Sequence, residues 1–137
     1  MGSVLVSSAE RIAQARVWRK RYGAGMRQVG ILAAAGMYAL DHHVERLAED
    51  HARARQLAEA FAKVRPDVVD PDAVETNIVV LDLTRGPDAK SLAAAALAQG
   101  VAASVLGPRT ARLVTHMDVD DDGIDRAVDV LTGLLSG

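Results

Sequence analysis

Cysteine is absent from all 137 residues, which excludes disulfides, thiolate nucleophiles and cysteine-ligated metals. Aromatic residues make up only 3% of the chain, so its core must be filled by Ala, Val, Leu and Ile at close range. No apolar run approaches the roughly 20 residues that cross a bilayer. The longest, Val29–Leu40, reads as an interior or interface helix. The sequence shows no signal-peptide pattern, and the expectation is a cytoplasmic protein with no membrane partner. An excess of one charge is missing too: 16 Lys and Arg stand against 18 Asp and Glu, for a net charge of −2. That balance argues against whole-chain affinity for nucleic acid or an anionic surface. What is present is 50% hydrophobic residues over a length that suits one domain with its own core.

Along the chain, Gly2–Val6 is a short β-branched run expected to form a strand, and Ser8 stands where a helix N-cap belongs. A basic helix over Arg11–Arg21 follows. Gly23 and Gly25 break it, and a second helix is expected to start near Gly25–Arg27. From Asp41 a long helix runs to 64, with Val44, Leu47, His51, Ala54, Ala58 and Phe61 on one face. Beyond Pro66 the expected order is a strand (Asn77–Leu83), a helix capped by Asp88 and closed by Gly100, two strands (Val101–Leu106 and Ala111–His116) and a final helix. In that helix Ile124, Ala127, Val128, Leu131, Leu134 and Leu135 share a face. The two late strands are close enough to pair as an antiparallel hairpin. Strand-helix-strand-strand-helix predicts an α/β layer with helices on one side of a small, mostly antiparallel sheet. Residues 1–40 fit that layer poorly, since they bring an unpaired strand and an over-apolar helix.

The stretch Tyr22–Gln28 (YGAGMRQ) places two glycines and an arginine at the mouth of that apolar helix. Glycines before a helix let backbone approach a ligand, and first-turn N–H groups with the helix dipole favour an anion. Arg27 would add a planar fork of donors, and Lys20, from the preceding helix, could converge on the same spot. The reading is an anion site of the phosphate kind; the alternative is a plain helix–helix joint. Arg112 stands inside an apolar strand, where an unpaired guanidinium is costly. Either a carboxylate ligand or one of the chain's own acids would meet that cost.

The run Arg16–Leu40 (RVWRKRYGAGMRQVGILAAAGMYAL) resembles the low-specificity threonine aldolases of the beta-eliminating lyase/threonine aldolase family. GSVLV at the start, RLAED-His51 and ARLVT-His116 match the same family in the same order. The resemblance implies the aspartate aminotransferase-like fold of fold type I pyridoxal 5'-phosphate enzymes. It also implies that this chain corresponds to the C-terminal portion of a full-length member. Residues 1–40 would then be a remnant of the large cofactor-binding domain, and 41–137 the small α/β domain entered through a connecting helix 41–64. Cofactor-phosphate binding would fall to Arg27 and Lys20, near a subunit interface of a dimer or tetramer. Binding of the amino-acid substrate's carboxylate would fall to Arg112. The reaction implied is retro-aldol cleavage of threonine, allo-threonine or related β-hydroxy amino acids to glycine and an aldehyde.

That chemistry requires a lysine carrying the cofactor as a Schiff base. In the family it lies just upstream of the GSVLV strand. Lys20, Lys63 and Lys90 are the lysines here, and none has that context, so no residue of this chain is read as catalytic. The polypeptide alone is expected to be inactive, with a start placed too late or a truncated gene as the explanations. From a different class, the alternative is a non-enzymatic α/β domain that self-associates through its Ala- and Gly-rich helix. Asp118–Asp129 imitates part of an EF-hand loop but follows a strand, and is read as a helix cap rather than a metal site. His42 and His43 diverge on a helix and cannot chelate together. His51 is expected in the core, and His116 ends the Arg112 strand. The six cations Arg11, Arg16, Arg19, Lys20, Arg21 and Arg27 read as a solvated face or a phosphate rim rather than a nucleic-acid surface.

Overall fold

In the computed structural model, residues 4–137 are described. The chain divides into two compact units, Met1–Glu45 and Arg46–Gly137.

In the second unit the fold follows from three amphipathic helices and one short sheet. Helix α3 (Leu47–Val64) buries Asp50, Ala54, Leu57, Ala58 and Phe61. These residues return at steps of three and four, so one stripe faces the sheet. Two more helices, α4 (Ala89–Leu97) and α5 (Asp121–Ser136), present Ala89, Leu92 and Ala96, and Ile124, Ala127, Leu131 and Leu135. Each has an aspartate at its N-cap: Asp88 accepts from the Ser91 N–H at 3.0 Å and Asp120 from that of Gly123 at 2.9 Å. Such caps satisfy first-turn donors that have no partner within the helix. Gly100, at φ +83°, closes α4: its N–H reaches Leu97 O and the Val101 N–H reaches Ala96 O. That pair of bonds needs a left-handed residue, which glycine supplies without a Cβ clash.

Strands β1 (Ile78–Asp82), β2 (Ser104–Gly107) and β3 (Thr110–Val114) form an antiparallel sheet in the order β1-β3-β2, with β2 and β3 joined as the expected hairpin. The alternation is strict where it matters. Val79, Leu81, Ala111 and Leu113 are buried under the helices, and their neighbours along the strands point the other way. Helix α3 packs on β1, α4 on β2 and β3, and α5 on α3 and α4. Phe61, Leu81 and Leu131 have no exposed surface. Burying side chains of this size contributes about 1.5–3 kcal/mol each.

The first unit contains α1 (Ala9–Arg21) and α2 (Gly30–His42), and neither has a buried residue. Ser8 caps α1 as its sequence suggests, accepting from the Arg11 N–H at 3.4 Å.

Several expectations are corrected. Val4–Val6 are exposed and form no strand, while Gly2 and Ser3 lie outside the described residues. The helix expected from Asp41 is broken: α2 ends at His42 and α3 begins at Leu47. No Gly or Pro marks the break. The start of α3 is held instead by tertiary ties that periodicity does not contain. His51 is exposed, because the buried stripe passes through Asp50 and leaves its neighbour at the margin. Leu97, which sequence spacing places on one side of α4 with Ala89, Leu92 and Ala96, is exposed as well. Strand β2 starts at Ser104 rather than Val101, whose N–H closes the α4 cap while its side chain enters the core.

Candidate functional site around Arg112 on the open sheet face

With helices on one side only, the residues left facing outward from the sheet are Ile78, Val80 and Asp82 of β1 and Thr110, Arg112 and Val114 of β3. Register pairs Ile78 with Val114, Val80 with Arg112 and Asp82 with Thr110, and from the other edge pairs Ser104 with Arg112. Arg112 therefore stands in the central strand with an aliphatic neighbour on one side and a hydroxyl on the other. Ile78, Val80 and Val114 leave 41–46% of their surface exposed around it. The Arg112 Nε is enclosed and meets no hydrogen-bond acceptor. Among the described residues no carboxylate pairs with the guanidinium, so the ion pair with one of the chain's own acids does not form. An enclosed cationic donor without an acceptor is costly, and the remaining N–H groups of a guanidinium suit a bidentate anion.

The strand carrying Arg112 is anchored just beyond it by a set of bonds that the sequence reading missed. Thr115 is 2% exposed; its hydroxyl donates to Asp50 O at 2.6 Å and its N–H to Asn77 O at 3.0 Å. The Asn77 side-chain amide donates to Thr115 O at 2.6 Å. The Asp50 side chain, also buried, receives both arms of Arg46 at 2.8 and 3.0 Å. That contact holds the Arg46 guanidinium above its ordinary pKa, through the hydrogen bonds to Asp50 first. The i,i+4 spacing of Arg46 and Asp50 was the available signal. The link from Asp50 to Thr115, 65 residues away in sequence, had none.

Next to the outward face lies a groove of about 570 Å³ lined by Val69, Val80, Asp82, Thr84, Arg109 and Thr110 among others. Asp82 accepts from the N–H and the hydroxyl of Thr84, which keeps its carboxyl below the usual range. Arg109 donates to Gly86 O at 2.7 Å. Among the described residues no hydrogen bond or ion pair joins His116 to Arg112. His116 is exposed after β3 and accepts from the Asp118 N–H at 3.3 Å. The acids that imitate a calcium loop are engaged in structure: Asp120 caps α5, Asp121 pairs with Arg53 at 2.8 Å, and Asp125 accepts from Gln56 at 3.3 Å. Among the described residues no group of three acidic or histidine side chains is placed to hold a metal ion, and no helix is long and apolar enough to cross a membrane.

Within the first unit, Gly23 closes α1, where the sequence reading places a helix break. At φ +77°, its N–H reaches Lys20 O at 3.1 Å while the Ala24 N–H reaches Arg19 O at 3.0 Å, the same closure seen after α4. Helix α2 starts only at Gly30, so Arg27 lies in the preceding turn and not in a first helical turn, which corrects the expected geometry. Gln28, at φ 47°, adopts the left-handed region, the single non-glycine to do so among the described residues. Lys20 lies against Gly25, where a Cβ would sit 3.2 Å from the Lys20 Cδ. A hollow of about 450 Å³ beside Lys20 is lined by Arg16, Val17 and Arg21, without Arg27. Trp18 and Tyr22 stack at 5.8 Å, and Arg21 lies 5.0 Å over the Trp18 ring. The six cations from Arg11 to Arg27 are all exposed, and among the described residues none has a carboxylate partner.

A three-stranded antiparallel sheet with helices on one side and an arginine without a carboxylate partner on its open face defines a small α/β module. The sequence model of the beta-eliminating lyase family matches residues 1–84. Two curated relatives are "Probable low-specificity L-threonine aldolase 2" of Arabidopsis thaliana and "Low specificity L-threonine aldolase" of Escherichia coli. The first is 37% identical over 127 residues, covering 91% of this chain and 36% of the relative; the second is 41% identical over 119 residues, covering 87% and 34%. The chain belongs to the beta-eliminating lyase family, and it spans about a third of the length of these relatives.

Proposed function

We propose that this chain is the substrate-carboxylate and cofactor-phosphate portion of a threonine-aldolase-like lyase that uses pyridoxal phosphate. The whole reaction is cleavage of threonine, allo-threonine or a related β-hydroxy amino acid to glycine and an aldehyde. In this reading Arg46–Gly137 corresponds to the small domain of a fold type I enzyme and the first unit to part of the large one. The observation that carries it is the enclosed, unpartnered Nε of Arg112 on the open sheet face. A guanidinium so placed binds the substrate carboxylate in two-pronged fashion and fixes the orientation of the Cα–Cβ bond.

The residues of the first unit suit a phosphate by charge: Lys20 lies against Gly25, and Arg27 follows two residues later with no acid to neutralise either. Gln28 in the same block holds a left-handed backbone that costs on the order of 1 kcal/mol. When bound, pyridoxal phosphate supplies the electron sink that carbon–carbon cleavage requires. Lys20, Lys63 and Lys90 lack the sequence context of the lysine that carries it, so the 137 residues alone do not turn over threonine. Support for the alternative, a self-associating non-enzymatic domain, comes from α2, which is strongly apolar yet buries nothing.

The decisive test is a chimera in which this chain replaces the matching third of the Escherichia coli relative. The expected result is glycine release from threonine, with Arg112→Met reducing kcat/KM on the order of a hundredfold or more. A folded chimera that binds pyridoxal phosphate but leaves threonine intact overturns the reading. The isolated chain should release no glycine; release that disappears in Lys20→Ala would overturn its predicted inactivity.

A further inference from the structure

Arg112 has register partners of opposite chemistry. Val80 on β1 offers neither donor nor acceptor, whereas Ser104 on β2 carries a hydroxyl and is exposed. Residues directly paired in an antiparallel sheet point to the same face, with Cβ atoms about 4.5–5.5 Å apart. The Arg112 Nε is enclosed but has no acceptor, so Ser104 does not accept from it. Arg112, Val80 and Ser104 form one row of paired positions across the sheet. A carboxylate has roughly four lone-pair sites, and a two-pronged arginine uses only two.

We infer that Ser104 is a second contact for the carboxylate that Arg112 takes, donating its hydroxyl proton to one carboxylate oxygen. Val80 closes the opposite side with hydrocarbon and limits competition by water. The inference rests on Arg112 being the carboxylate site. It adds a neutral donor that discriminates a carboxylate, with lone pairs in defined directions, from a spherical anion of equal charge. Because Ser104 lies on a different strand from Arg112, the site also depends on the β2–β3 register.

The test follows the Arg112 Nε–H resonance of the 15N-labelled 137-residue chain while sodium acetate is added at constant ionic strength, with sodium chloride as the reference. The wild-type chain should show a saturable shift with acetate and none with chloride. Ser104→Ala and Ser104→Val should weaken the apparent affinity roughly ten- to a hundredfold, the loss expected for one hydrogen bond to a charged group. Ser104→Thr, which matches valine in shape but keeps the hydroxyl, should stay within about twofold of wild type. The amide spectrum of each variant reports whether the sheet is intact, and the threonine–valine pair isolates the hydroxyl from packing. Equal affinities in all four chains would overturn the role of Ser104 while leaving the Arg112 site standing. A resonance that responds to acetate and chloride alike would remove the Arg112 site, and Ser104 with it.

Discussion

Helices α2 and α3 come from the same chain, yet the more apolar of the two is the one that buries nothing. α2 is built from Gly, Ala, Ile, Leu, Met and Tyr, with charge only at its end, and Ile31 remains 85% exposed. α3 contains eight charged or polar side chains among LAEDHARARQLAEAFAKV and buries five residues completely or nearly so. The difference is arrangement: apolar residues in α3 recur on one stripe, whereas those of α2 surround the helix. Total hydrophobicity measures how much surface would gain from cover, and periodicity measures how much a single neighbour can provide. The second unit therefore carries its own core, and the first carries uncovered apolar surface.

The comparison can be broken by mutation. Phe61→Ala should cost about 3–5 kcal/mol in urea unfolding, because it empties a site with no exposed surface. Ile31→Ala should change stability by no more than about 0.5 kcal/mol. A comparable loss at Ile31 would mean that the first unit has a core of its own in solution. A smaller effect sharpens the picture of how β3 is held. Thr115→Val keeps the shape of a buried side chain but removes the bond to Asp50 O. It should cost roughly 1 kcal/mol and speed amide exchange at Val114 and Thr115. Unchanged exchange there would show that packing alone holds the strand.

The sequence made the second unit legible because its signals are local and repeated. The apolar run Asn77–Leu83 and the stretch Ala111–His116 marked two strands of the sheet, and Asp88, Gly100 and the acids of Asp118–Asp129 marked helix ends by the chemistry of their side chains. Arg112 was visible as a cation out of place in an apolar strand. Three things were hidden. The break between His42 and Leu47 has no breaker residue. The bond from Thr115 to Asp50 is long-range, and Ser104 gained meaning only from a register that a four-residue edge strand does not declare.

The smallest predicted effect concerns acid. Asp67, Asp82 and Asp88 each have carboxyl groups held below the ordinary value of 3.8, by hydrogen bonds from Arg65, Thr84 and Ser91 respectively. A carboxylate whose pKa is depressed by folding contributes stability that is present above its unfolded value. That contribution is lost as pH falls below about 3.8 and through the folded value. All three lie in Arg46–Gly137, so acid should loosen that unit by a defined route. Thermal midpoints followed from pH 5 to pH 2 should fall, with the decline confined to the region below about pH 4. Asn can cap a helix as Asp does but does not titrate in this range, so Asp88→Asn should keep α4 and make the decline shallower. If Asp88→Asn leaves the slope unchanged, the Asp88 cap is not among the groups through which protons act. The acid response would then have to arise at Asp67 and Asp82; at Asp67 the Arg65 that bonds it also ties the turn after α3 to the end of α5 through Leu135 O.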